Sequence, residues 1–179
     1  MSHTPEELIQ LGYQCRREGR LREAKRRFAE SVELCRGGTD PTLLAGSLIG
    51  LGQIERDLKN NEAAVQHYSE AIALYRSSGH PLRLAHTVRH LADILRGMRS
   101  IESARALYEE ALQVYREHVE TPPLDLANAI RGFALLRGSA GERDEARILW
   151  QEARALYASL NVQAGVEESE AQLDQLMAS

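Results

Sequence analysis

Apolar positions along the chain recur on two scales. On the short scale, Ala64, Tyr68, Ala71 and Tyr75 are separated by 4, 3 and 4 residues, which places all four on one face of an α-helix. The same spacing returns in Ala104, Tyr108, Ala111 and Tyr115, in Ala146, Trp150, Ala153 and Tyr157, and with weaker residues in Ala24, Phe28, Ser31 and Cys35. Upstream of each stripe lies another: Leu8, Leu11, Gly12 and Cys15, then Leu48, Leu51 and Gly52, then Val88, Leu91, Ala92 and Leu95, then Ile130, Phe133 and Ala134. On the long scale, Pro41-x-x-Leu44-Ala45, Pro81-x-x-Leu84-Ala85 and Pro123-x-x-Leu126-Ala127 follow one another at 40 and 42 residues. A fixed period of this size marks stacked copies of one supersecondary motif. The pattern predicts an all-α chain in one domain spanning 1–179, built from four antiparallel helix pairs at about 5–38, 41–78, 81–119 and 122–160.

Local chemistry supports these boundaries. Asp40-Pro41, His80-Pro81 and Thr121-Pro122 put a proline at or near a first helical position, where its missing N–H is harmless, and Asp40 and Thr121 are candidate caps. The links around Gly19-Arg20, Lys59-Asn60, Arg99-Ser100 and Gly141-Glu142 are short, so the helices they join must run antiparallel. Small residues at Gly12, Gly52, Ala92 and Ala134 allow close approach within a pair, and Phe28, Tyr68, Tyr108 and Trp150 fill the space beside them. Residues 162–177 read as a ninth helix closing the stack, with Val166, Leu173, Leu176 and Met177 as its apolar residues and Glu167, Glu168, Glu170 and Asp174 as its charge.

Composition narrows the function classes. With 179 residues, 43% of them hydrophobic, and a net charge of -4, the chain can bury a sizeable core and lacks the charge imbalance of a disordered tail. Aromatics at 5%, with 5 prolines and 13 glycines, argue against a sandwich of short, turn-rich strands. Cys15 and Cys35 cannot build a disulfide scaffold, and they read as small buried hydrophobes of a reducing compartment. No apolar run approaches the length of a membrane span, and Glu6 and Glu7 stand where a secretory leader would be basic and then apolar. The expectation is a soluble cytoplasmic protein.

Catalytic signatures are lacking: there is no Ser-His-Asp ordering and no glycine-rich phosphate loop after a strand. His86, His90 and Asp93 share one helix face at a spacing that could approach a metal, but Arg89 beside them would repel a cation. The two histidines read as solvated groove histidines, and neither a metal nor a cofactor is expected.

The residues resemble the tetratricopeptide repeat family. Its pattern of Leu-Gly in a first helix, then Ala, an aromatic and Ala in a second, is met by Leu11-Gly12 with Ala24 and Phe28, and by Leu51-Gly52 with Ala64, Tyr68 and Ala71. The third and fourth repeats keep the second-helix pattern and replace the glycine with Ala92 and Ala134. The 40–42-residue period looks like the lengthened variety of the family. The resemblance implies a right-handed superhelical solenoid with a concave wall lined by the first helices, and it implies a non-catalytic protein-binding scaffold.

Wall positions must lie opposite the buried leucine stripe. They include Tyr13, Arg16 and Arg17 in the first repeat and Ile49, Gln53, Arg56 and Asp57 in the second. The third supplies His86, Arg89, Asp93 and Arg96, and the fourth Asn128, Arg131 and Leu135. Six arginines and three acids, Glu6 of the first repeat with Asp57 and Asp93, make this wall basic in an acidic protein. Arginine's planar fork suits carboxylates, so the expected partner is an acidic peptide or helix bound by Tyr13, Arg16, Arg17, Gln53, Arg56, His86, Arg89, Asp93, Arg96, Asn128 and Arg131. The family's carboxylate clamp for chaperone tails would carry lysine and asparagine where Ile9 and Tyr13 stand, which argues against that ligand. The alternative is self-association, the acidic ninth helix of one copy entering the groove of another. Nucleic acid is not expected, because the sequence pI is near 5.9 and the wall offers a single stacking ring, Tyr13.

Overall fold

A computed structural model describes residues 3–38 and 40–178, and among these nine helices and no strand are found. They are α1 (Pro5–Arg17), α2 (Leu21–Arg36), α3 (Pro41–Asp57), α4 (Asn61–Ser78), α5 (Pro81–Gly97), α6 (Ile101–Glu117), α7 (Pro123–Ser139), α8 (Arg143–Ser159) and α9 (Gln163–Ala178). The fold is the all-α helical-repeat solenoid class that the periodicity implies. The helices fall into two compact units, the first ending at Ile94 and the second beginning at Leu95. No helix among the described residues is long and apolar enough to cross a membrane.

The helices begin where sequence chemistry tells them to. Thr4 and Glu7 form a capping box at α1: the Thr4 hydroxyl accepts from the Glu7 amide at 3.3 Å, and the Glu7 carboxylate accepts from the Thr4 amide at 3.0 Å. Asp40 caps α3 by accepting from the Thr42 and Leu43 amides at 2.8 and 3.2 Å. Such caps contribute about 1 kcal/mol each. Thr121 does not cap: its hydroxyl donates to the Tyr115 carbonyl at 2.8 Å, and Pro122, with no side-chain acceptor, immediately precedes α7. The four links inside the pairs share one backbone device, a left-handed residue at Gly19, Lys59, Arg99 and Gly141 with φ between 62° and 82°.

In the N-terminal unit the core is built on Phe28 and Tyr68, both fully buried. A Cβ at Gly12 would sit 2.7 Å from the Phe28 ring, and one at Gly52 would sit 2.8 Å from the Tyr68 ring. Close packing within each pair is therefore real, as the small-residue pattern predicts. The joint between the first two pairs is tighter still: a Cβ at Gly50 of α3 would lie 2.2 Å from Phe28. The Ser31 and Ser47 hydroxyls meet at 2.8 Å beside it. Cys15 and Cys35 are buried and free.

In the C-terminal unit Tyr108, Trp150 and Tyr157 play the same part. Helix α9 docks through small residues, Gly165 and Ser169, which are its buried positions. A Cβ at Gly165 would stand 2.4 Å from Tyr157. The apolar residues expected to seat this helix are only half-buried, and Met177 is 71% exposed. Helix α9 packs on α8, and its small residues come closest to that neighbour.

Candidate functional site

The wall positions of the N-terminal unit come from α1, α3 and α5, and the structure sorts them into three groups. The first is a clasp between α1 and α3. Arg16 Nε donates to Asp57 Oδ2 at 2.7 Å, and its NH1 donates to Gln53 Oε1 at 3.1 Å. The Asp57 hydrogen bond raises the Arg16 pKa further above its ordinary value. Arg56 stands next to this clasp with a contact to Asp57 of only 3.9 Å and a third of its side chain in solvent.

The second group lies on the outer face of α1. Tyr13 meets the Phe28 ring edge-on at 5.0 Å, and burial pushes its phenol pKa up. Tyr13 and the exposed Arg17 border an open depression of about 680 Å³ shared with Gln10 and Gln14. One repeat later, the positions of Gln10 and Gln14 are held by Gly50 and Ile54, which are buried in α3. The row on α1 is thus polar where its counterpart on α3 is packed.

The third group belongs to α5. Arg89 is 8% exposed; its NH1 donates to Asp93 Oδ2 at 2.9 Å and its NH2 lies 2.9 Å from His90 Nε2. Arginine can only donate, so His90 Nε2 is the acceptor and its proton sits on Nδ1. His86 Nε2 approaches the same nitrogen at 3.1 Å. Burial first, and the Arg89 charge second, push the His90 pKa down to about 2, so the ring is neutral. Among the described residues no group of three or more His, Cys, Asp or Glu side chains is placed to hold a metal ion.

In the C-terminal unit Arg96 Nε donates to the Tyr108 hydroxyl at 3.3 Å. Arg131 grips Glu168 of α9 through two bonds of 2.6 Å, and Asn128 Oδ1 accepts from the Tyr157 hydroxyl at 2.8 Å. Glu170 of the same helix is engaged by Arg154 at 2.9 Å, and Glu167 accepts from the Gln163 side-chain amide at 3.0 Å, so at least three of the four acids of α9 already have partners in their own chain.

Sequence reasoning missed the interior neighbours of the α5 group. Tyr68 is fully buried, its hydroxyl has no hydrogen-bond partner, and its ring stacks on His90 at 6.1 Å. A sequence signal was present: His90 stands where α3 has Gly50 and α7 has Gly132. Reading the repeats against one another would have marked it. The Arg16–Asp57 and Arg131–Glu168 pairs were also missed, although both join residues close to one period apart.

Tetratricopeptide repeat families match residues 6–77 and 84–123, together well over half of the chain. No curated protein matches by sequence. Among solved structures, aspartyl phosphate phosphatase F from Bacillus subtilis superimposes with a TM-score of 0.88 at 14% identity, over 100% of this chain and 47% of that one. A signal transduction ATPase with a tetratricopeptide repeat sensor, from Pyrococcus horikoshii, gives 0.84 at 15% identity over 94% of this chain and 26% of that one. A Rap protein complexed with competence and sporulation factor gives 0.76 at 17% over 94% and 47%. At these identities the likeness shows the fold alone, and this chain spans about half or less of each of the three.

Proposed function

The chain belongs to the tetratricopeptide repeat family, and from that premise we propose that it is a non-catalytic interaction module binding an acidic peptide or helix along its first helices. The observation that carries this reading is the side-chain character of α1, α3 and α5 in the N-terminal unit. Arg16, Arg17, Arg56 and Arg89 lie on them with Tyr13 and Gln53, and none of these cations is lysine. Arg16 and Arg89 are held in fixed orientations by Asp57 and Asp93, so part of the ordering cost of binding is met in advance. Arg17 and Arg56 keep solvent-facing guanidinium and can accept a carboxylate directly. A protein ligand also agrees with the relative captured in complex with competence and sporulation factor.

The test is fluorescence anisotropy with a labelled, capped, glutamate-rich peptide on the full chain. Binding should weaken steeply between low and physiological salt, because the contacts are charge pairs at a partly solvated surface. Arg17→Glu with Arg56→Glu should abolish it while far-UV circular dichroism stays unchanged; both residues are at least a third exposed, so their reversal spares the core. Binding that ignores salt and survives the double reversal refutes the proposal.

A further inference from the structure

The joints between neighbouring pairs are not built alike. At the first, the large aromatic of the second helix meets a glycine of the next first helix, Phe28 against Gly50; in sequence, Gly132 holds the matching place in α7, in the C-terminal unit. After Tyr68 the corresponding residue is His90, whose imidazole stacks on the tyrosine ring. Departures of a sequence from its own pattern are expected at functional positions.

At this same place buried donors go unanswered. The Tyr68 hydroxyl, Arg89 Nε and His90 Nδ1 are all shielded from solvent and have no hydrogen-bond partner. With His90 Nε2 committed as an acceptor toward Arg89, its Nδ1 carries a proton, so all three atoms are donors in search of an acceptor. Leaving such groups unmade is costly, and natural structures rarely do so without an ion, a water or a ligand. Three cations, Arg56, Arg16 and Arg89, act on the Tyr68 phenol and favour its anion, against a burial effect that still drives its pKa up to about 12. The nearby acids, Asp57 and Asp93, are spent on Arg16 and Arg89. What the cluster lacks is an anionic acceptor.

We propose that the Tyr68–Arg89–His90 cluster, with Arg56 at its margin, is an anchoring pocket for one carboxylate side chain of the bound segment. This rests on the acidic-ligand reading above and adds where its charge is held. The carboxylate enters beside Arg56, whose side chain is a third in solvent and weakly tied, and it takes the phenol as donor. Tyr68 is then a specificity residue: an apolar side chain in the pocket would leave its hydroxyl unpaired, whereas a carboxylate accepts from it.

Two measurements on the full-length chain test this. The first is an NMR titration of the His86 and His90 imidazole nitrogens with sodium acetate, against sodium chloride at equal ionic strength. The pocket predicts a saturable shift of His90 with acetate and none with chloride. The second is binding of the capped glutamate-rich peptide to wild type and Tyr68→Phe, which removes only the hydroxyl. The expected loss is about tenfold, the size of a hydrogen bond to a charged group, with unchanged circular dichroism. A His90 response to acetate together with that loss supports the anchor. Peptide binding that is equal in both proteins, with no acetate response, overturns the anchor and leaves the groove reading standing. A saturable acetate response with no peptide binding supports the pocket and refutes the groove. Silence in both measurements overturns both.

Discussion

Of the three glycines of helix α3, Gly46 and Gly50 stand one helical turn apart, and replacing each of these two with alanine should change stability in opposite directions. An interior helical glycine costs about 1 kcal/mol relative to alanine, so Gly46→Ala, whose new Cβ meets nothing within 4 Å, should gain about that much. At Gly50 the same gain is opposed by Phe28. Three of its ring carbons would lie 2.2, 2.3 and 2.7 Å from the new Cβ, more than 1 Å inside ordinary contact. The ring cannot retreat toward Gly12, where it already occupies the space of a Cβ, and it is 0% exposed. Overpacking of this kind costs about 1–3 kcal/mol, so after the alanine gain the net loss should reach about 2 kcal/mol. In a chain of this length each kcal/mol shifts Tm by about 2–4 °C. Thermal and urea unfolding of the two variants should therefore bracket the wild type. Adding Phe28→Leu to Gly50→Ala should recover part of the loss. If Gly50→Ala unfolds at or above the wild-type midpoint, the joint is looser than the geometry described here and the reasoning fails.

Further expectations follow from other contacts. Glu142 is held by Arg105 and Arg137 at 2.6 Å each, which pull its pKa down to about 2. A carboxylate lowered on folding stabilises above its unfolded value, so this contribution should be complete above about pH 5 and fade as pH falls toward 2; the urea midpoints of wild type and Glu142→Gln should differ at pH 7 and converge in acid. Lys25 reaches the buried Glu55 at 2.6 Å, with Asn60 donating at 2.8 Å. Lys25→Met should cost about 1–2 kcal/mol, below the range for a fully buried pair because the amine is half in solvent. Glu55→Gln should cost less, and equal losses in urea titrations would contradict this account. Gly165→Ala should loosen α9 by driving a Cβ into Tyr157, seen as faster amide exchange across 163–178 with α7 and α8 unchanged; identical exchange would show that the helix is seated by something else.

The helices were legible in the sequence because a helix pair in a repeat is specified locally. The 4-3-4 spacing of Ala64, Tyr68, Ala71 and Tyr75 fixes which face is buried, and proline positions fix the starts. The capping box of Thr4 and Glu7 was equally available as a Thr-x-x-Glu motif. Thr121 shows the limit of such signals: its hydroxyl had the choice of an amide ahead or a carbonyl behind, and the double proline at 122 and 123 left fewer amides to cap. The candidate site was less legible, because its state depends on distant partners. Arg16, Arg89 and Arg131 were identified as wall residues, but whether a guanidinium is open or engaged is decided by Asp57, Asp93 and Glu168. Two of those three lie about one repeat away in sequence. A search for opposite charges near that offset would also have found Arg105 with Glu142 and Arg116 with Glu152. The unanswered phenol of Tyr68 had no local signal at all; only His90 in place of a glycine betrayed it.

The joint between Phe28 and Gly50 also bears on heredity. Arrays of this kind grow and shrink by tandem duplication, yet here the seams are not alike: one fits a ring to a bare backbone, the next fits a ring to an imidazole. Copying residues 41–80 in tandem would set Gly50 against Tyr68 at the new seam, where the ring-to-imidazole contact would be missing, while the original seam would survive further along. The order of the repeats is thus written into their edges, and a rearranged gene would have to re-cut those edges before its product packed as well as its parent.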